Sequence, residues 1–397
     1  MSTLYKASTD KPPSQQGWLE FGASLQGSEA LTPPHGTLLT SSMFGVAGYS
    51  NHSKASPVLI NSGFPALDQT LGFKLDFRLR IISESHNNAI NRAGFSVIIL
   101  DHSVIPKGIE LGFWANSIFS QAGGSKPFQA VADRINGVNT NLATNYSLRI
   151  LNDNYFLFGN NKLLLSGALQ TYGLFPNPPG SPYNPYMTKD FLFLGDNTSS
   201  ASANVELGSI AVNTMTAGTN GSDSFTGTNQ EDSFNGLTGD DVMNGGGGDD
   251  WLNGGLGTDT LNGGLGNDFL IGGAGSDKFH FGFGAIFNVS LGIDTIADFN
   301  SSDLDRIVLS HATFTALPAG ATLKLEDFAV VSSNSLASSC AAKIVYNSNN
   351  GTLFYNPNGS APGFSSVSNG GGAFAQLWNG KTGTPFPIVA CSSFVLA

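Results

Sequence analysis

The chain has 397 residues, 40% of them hydrophobic, with 29 Phe and a net charge of −11, which allows two or three domains with substantial cores. No apolar run reaches the roughly 18 residues of a membrane-spanning helix, and the opening MSTLYKASTDKPPS lacks the apolar stretch of a cleaved secretory signal. Two cysteines, Cys340 and Cys391, are too few for a disulfide framework and fit one bridge or two free thiols.

The acidity is localised. Residues 1–210 carry 13 basic and 13 acidic side chains, residues 211–280 carry 1 and 10, and residues 281–397 carry 4 and 6. The central block, net −9, repels nucleic acid and attracts hard cations, so no nucleic-acid partner and no transmembrane segment are expected.

Residues 1–14 read as a disordered tail. In LGFKLDFRLRI, Leu71, Phe73, Leu75, Phe77, Leu79 and Ile81 face one way, and Lys74, Asp76, Arg78 and Arg80 the other. That alternation predicts a half-buried antiparallel strand. Further strands are predicted at AGFSVIIL, GIELGFW, YSLRIL, the hairpin NYFLFGNN-KLLLSG, FLFLG and ANVELGSIAV, with no credible helix, giving a sandwich over 15–212. The strings RAGFSVIIL, GIELGFW and FLFLGDNTSSASANVELG are similar to a concanavalin A-like, LamG-type jelly roll, a resemblance that implies a fold and no substrate.

In GIELGFW the core takes Ile109, Leu111 and Phe113, which leaves Glu110 and Trp114 on the opposite face with Gly112 between them. A carboxylate beside an indole suits a sugar or a flat organic ligand. The plainer alternative has Trp114 half-covered and Glu110 paired with Arg78 or Arg80. The proline-rich LFPNPPGSPYNPYM brings Tyr183 and Tyr186 as a candidate lid, and Glu84, His86, Arg92, Asp101 and His102 fall at strand ends where ligands bind. Glu84 and Glu110 are the candidate proton-transfer residues of an enzyme, although H-E-x-x-H, G-x-S-x-G and a phosphate loop are all absent from the sequence.

Seven nonapeptides then start at Gly218, Gly227, Gly236, Gly245, Gly254, Gly263 and Gly272. Their sixth residue is always aspartate: Asp223, Asp232, Asp241, Asp250, Asp259, Asp268 and Asp277. Their eighth is always large and apolar: Phe225, Phe234, Met243, Leu252, Leu261, Leu270 and Phe279. Glycine permits tight positive-φ turns, aspartate offers a hard anionic oxygen, and the apolar residue points inward from a short strand. The block resembles the RTX, or hemolysin-type, calcium-binding repeat G-G-x-G-x-D-x-U-x.

The resemblance implies a parallel β-roll over 213–310 that holds about five calcium ions between turns two repeats apart. The implied ligands are the seven aspartates with the turns at Gly248, Gly257, Gly266 and Gly275. The first three units depart from the pattern at Thr219, Thr228, Gln230 and Leu237, and weaker or missing ions are expected there. Ten acids among so few apolar residues cannot offset chain entropy without cations, so folding should be coupled to calcium.

GIDTIADFNSSDLDRIVLS looks like the segment that closes many RTX domains, and Asp294, Asp298, Asp303 and Asp305 could ligate a last ion, cap the roll or be solvated turn residues. A hairpin is predicted around Asn349, Asn350 and Gly351. Residues 311–397 read as a β-rich cap whose end, SSFVLA, is similar to an uncleaved type I secretion signal.

The expectation is therefore an all-β chain: an antiparallel jelly roll, a parallel β-roll and a β-rich cap. It would be exported by the type I secretion machinery without an N-terminal signal peptide, to the extracellular space or cell surface. There the jelly roll would bind a glycan or another small organic ligand. The alternatives are a calcium-dependent enzyme with its site on the jelly roll, of cyclase, alkylating or polysaccharide-active type, and a structural surface-layer protein.

Overall fold

Alternation along Phe73–Ser85 sets the first layer: Phe73, Leu75, Phe77, Leu79 and Ile81 are buried in one cluster, whereas Leu71 stays exposed. The strand begins only after Gly72, whose φ of 88° turns the chain and carries Leu71 out of the alternation. The computed structural model describes residues 2–5, 16, 19–20, 28–32, 36–40, 47–52, 64–86, 91–123, 130–172, 184–196, 201–318, 320, 322–359, 364, 370–378 and 386–397. They form two compact units, Met1–Thr214 and Met215–Ala397.

In the first unit one sheet runs Lys162–Ala168, Asn154–Gly159, Thr144–Leu151, Phe73–Ser85, Ser202–Thr214, Gly36–Thr40 and Ser28–Thr32, every pair antiparallel. Ser2–Tyr5, inside the tail expected to be disordered, also belongs to it. Ser202–Thr214 pairs with Gly36–Thr40 only through Asn204 to Leu207, and Ser2–Tyr5 takes the edge left at Ile210 to Val212. The second sheet runs Val131–Asn136, Ser117–Gln121, Lys107–Trp114, Ser96–Leu100, Leu192–Asp196, Ala47–Ser50 and Leu19–Glu20. Its Val97, Ile99, Ile109, Leu111, Phe113, Leu192 and Leu194 join the cluster of the first sheet, closing a jelly-roll sandwich over one core. The hairpin at Asn160 and Asn161 turns through φ of 47° and 63°, as the twist of a two-residue connection requires.

In the second unit the nonapeptides alternate between two sheets, so strands 18 residues apart pair in parallel. Phe234 lies beside Leu252, Leu252 beside Leu270 and Leu270 beside Ile296 in one sheet. Phe225, Met243, Leu261, Phe279 and Ile307 form the same series in the other. These eighth-position residues meet between the sheets as one apolar core, which makes the block a parallel β-roll.

The segment after the repeats extends both sheets. Gly372–Leu377 pairs in parallel with Asp294–Ile296, and Phe394–Leu396 with Arg306–Leu309. Phe394 and Leu396, from the SSFVLA string, are buried in the shared core. The hairpin of Ile344–Asn347 with Thr352–Tyr355 forms around Gly351, at φ 75°. Cys340 and Cys391 are free thiols.

Candidate functional site

Two ladders of aspartate run along the roll. The Oδ1 of Asp241 accepts the backbone N–H of Asp223 at 2.7 Å, that of Asp259 accepts Asp241 N–H at 2.7 Å, and that of Asp277 accepts Asp259 N–H at 2.9 Å. On the other edge Asp250 accepts from Asp232 at 2.7 Å and Asp268 from Asp250 at 2.8 Å. Each carboxylate is thereby locked by the turn two repeats earlier. The second oxygen of Asp241, Asp250, Asp259 and Asp277 is buried without a hydrogen-bond partner. Such an atom is costly unless a donor or a cation meets it.

The glycines shape what surrounds that oxygen. A side-chain carbon on Gly245 would fall on Asp250 Oδ2 and on the carbonyl oxygen of Gly263; on Gly254 it would meet Asp259 Oδ2 and the Gly272 carbonyl. Carboxylate and carbonyl oxygens thus converge over a bare Cα, a hard donor set that suits a divalent cation of the calcium type. Gly248, Gly257, Gly266 and Gly275 all have positive φ, and a Cβ on the last three would strike the carbonyl oxygen of the corresponding turn 18 residues earlier. Among the described residues no three His, Cys, Asp or Glu side chains gather, and the oxygens that converge on each turn are one carboxylate and backbone carbonyls.

The first two units differ. Thr219 gives both its N–H and its hydroxyl to Asp223 Oδ2, at 2.7 and 2.9 Å, and Thr228 does the same to Asp232. The threonines that break the sequence pattern occupy the oxygen left open in later units.

Both ladders end on residues outside the repeat. Asp268 N–H donates to Asp294 Oδ1 at 3.1 Å and Asp277 N–H to Asp305 Oδ1 at 3.0 Å, so Asp294 and Asp305 take the sixth-position role. Asp298 accepts the N–H groups of Gly272 and Gly273 at 2.9 and 2.8 Å. Asp303 lies exposed and accepts from the Asn300 side chain at 2.8 Å.

Burial, reinforced by neighbouring carboxylates and opposed by the backbone N–H bonds, pushes Asp250 up to about 8 and Asp259 and Asp277 to about 6. A raised folded-state pKa means stability that is complete below the ordinary carboxylate range and lost as pH rises through the folded value. For the calcium-free protein the window is therefore about pH 4 to 8. Removing calcium should cost less β-structure at about pH 4.5 than at about pH 8, measured by far-ultraviolet circular dichroism in metal-stripped buffer.

The sandwich face is arranged differently from a sugar platform. Glu110 is 1% exposed: the Tyr186 hydroxyl donates to its Oε2 at 2.7 Å, and its own N–H donates to the Tyr172 hydroxyl at 3.1 Å. Tyr186 is held by the Asn184 side chain, which accepts its N–H, and packs with Tyr172, Phe191 and Phe193. Burial first, then the Glu110 carboxylate, pushes the Tyr172 hydroxyl well up. Arg78 and Arg80 pair instead with Glu206, at 3.7 and 3.6 Å.

Trp114 is half-buried. His86 stacks on its ring at 4.1 Å and the Arg134 guanidinium lies 4.2 Å from its centroid. Both groups lie against the half-buried indole, which is therefore not the bare platform that alternation alone suggests. Trp114 Nε1 donates to the Arg92 carbonyl at 2.7 Å, and His86 Nδ1 contacts Glu84 at 2.8 Å. A side chain on Gly112 would strike the Phe119 ring. Asp101 closes its own turn through the N–H of Lys107, and His102 pairs with Asp190 at 2.6 Å, away from this stack. Tyr183 lies outside the described residues.

Truncating Trp114 to alanine should cost the sandwich about 2 kcal/mol, roughly half the loss for a fully buried tryptophan, read from urea unfolding.

The two ladders and glycine-lined turns define a parallel β-roll with a cation-type set of oxygen donors along its turns. Residues 217–252 and 253–285 match the RTX calcium-binding nonapeptide repeat, and this block carries those repeats. Among solved structures the chain is similar to the family 7 alginate lyase A1-II′ at 11% identity and TM-score 0.32, over 54% of this chain and 93% of that one. It is similar to the carbohydrate-binding module CBM66 of Bacillus subtilis at 8% identity and TM-score 0.27, over 49% and 94%. It is also similar to a subunit of the Azotobacter vinelandii mannuronan C5-epimerase at 25% identity and TM-score 0.22, over 40% and 72%. No curated protein matches the chain. Among the described residues no helix is long and apolar enough to cross a membrane.

Proposed function

We propose that this is an exported calcium-dependent binding protein whose roll folds on calcium and whose jelly roll recognises a carbohydrate or another extracellular ligand. The observation that carries the calcium reading is the locked ladder, in which one oxygen of Asp241, Asp250, Asp259 and Asp277 is buried and unpartnered over glycine. In this reading those four with Asp268 hold the ions, joined by carbonyl oxygens of the glycine turns. Asp223 and Asp232, closed by threonine, act as an N-terminal cap. Calcium supplies positive charge that lets the buried carboxylates ionise together; the chain's own part is to hold the oxygens and exclude side chains from the turns. Modules of this type fill at roughly 10⁻⁴ to 10⁻³ M calcium, so the block would stay loose in a calcium-poor cytosol and fold outside.

On the sandwich, the surface offered to a ligand is the charged stack of His86, Trp114 and Arg134, with the Glu110–Tyr186 pair as buried support. A glycan array in calcium tests this. Binding should be lost in Trp114→Ala and Arg134→Ala while Glu206→Gln, on the first sheet, binds normally. Equal binding by all three would remove the site from this face.

A further inference from the structure

A cavity of about 470 Å³ lies within the second unit, lined by Asp298, Asn300, Ser301, Ser302, Trp378 and Phe386 among others. Its composition is that of a small-ligand pocket: three aromatic side chains, two hydroxyls and one carboxylate. Among the described residues the Ser301 and Ser302 hydroxyls take no hydrogen-bond partner. Asp298 is fixed by the Gly272 and Gly273 N–H groups, each taking one oxygen and leaving lone pairs over. One wall is anchored where the Tyr346 hydroxyl donates to the Pro387 carbonyl at 2.8 Å.

Two walls of the cavity are tied directly to the last calcium-type turn. Gly272, held by Asp298, is also the glycine over which Asp277 Oδ2 sits. Asn300 donates its N–H to Asp305 Oδ2 at 2.8 Å, and the other oxygen of Asp305 accepts Asp277 N–H at 3.0 Å. The cavity therefore takes its shape from the end of the aspartate ladder.

We propose that this cavity binds a neutral saccharide of one or two rings, and that its occupancy is linked to calcium in the final turns of the roll. Aromatic rings meet the apolar faces of a sugar while hydroxyls and a carboxylate meet its O–H groups. The Asp298 carboxylate and the acidic roll disfavour an anionic sugar. The linkage clause rests on the calcium reading above; the pocket itself does not. Linkage is reciprocal, so the sugar tightens calcium by the same factor that calcium tightens the sugar.

Saturation-transfer NMR on the full chain in about 5 mM calcium, with maltose, cellobiose and lactose as probes, tests it. At least one disaccharide should give a signal. Its affinity should fall roughly tenfold in Trp378→Ala, in Ser302→Trp, which fills the mouth from an exposed position, and on chelation. Absence of signal for all three sugars overturns the proposal, as does a signal that neither variant reduces, which would place the sugar on the sandwich. Binding equally strong after chelation overturns the linkage. A calcium titration without sugar, followed by circular dichroism, shows separately whether the roll reading has failed.

Discussion

A Gly275→Ala variant should fail to complete the roll. Gly275 sits at φ 141°, and a methyl group there would land on the carbonyl oxygen of Gly257, one coil earlier. Backbone cannot yield as a flexible side-chain tip can, because both strands that flank the turn are hydrogen-bonded into parallel sheets. Positive-φ strain of about 1–3 kcal/mol adds to overpacking of about 1–3 kcal/mol, for a combined loss of about 4 kcal/mol in the calcium-loaded state. The same change at Gly137, also at positive φ but with open space around its Cα, should cost only the strain component. Comparing the two melting curves in calcium separates steric closure of the turn from ordinary glycine freedom. Equal losses would mean that the turns are not stacked as described.

The second large effect should distinguish aspartates that look identical in sequence. Asp250→Ala removes an unpartnered buried oxygen and the acceptor for Asp232 N–H, and should raise the calcium midpoint roughly tenfold. Asp232→Ala removes an oxygen already taken by the N–H and hydroxyl of Thr228, and should leave the midpoint within about threefold. Calcium titrations of both variants by circular dichroism check the difference. If both shift equally, the threonine units bind calcium as the others do and the cap assignment falls.

The repeats were legible because each unit states the same local rule, and a rule repeated every nine residues needs no long-range information. Legibility ended where the spacing changed. Asp294 follows Asp268 by 26 residues and Asp305 follows Asp277 by 28, yet both continue ladders otherwise built on steps of 18. Inserted segments restart the coil after a loop, and only pairing such as Phe279 beside Ile307 reveals the resumed register.

The sandwich core was legible for the same reason as the roll: alternation is local. Its candidate site was not. Placing Glu110 on the outer face followed from alternation, but its burial depends on Tyr186, 76 residues away. The covering of Trp114 depends on Arg134 from Val131–Asn136, two strands away in the same sheet, and on His86 beyond the end of Phe73–Ser85. Ser2–Tyr5 gave no signal of its own and is ordered by a free edge on Ser202–Thr214.

The most direct test of the account is circular dichroism with thermal melting of the full chain, with and without about 5 mM calcium. The account predicts a large calcium-dependent gain in β-structure and a second melting transition that disappears on chelation, while the transition of the sandwich remains. Superimposable curves in calcium and chelator would contradict calcium-coupled folding of the roll.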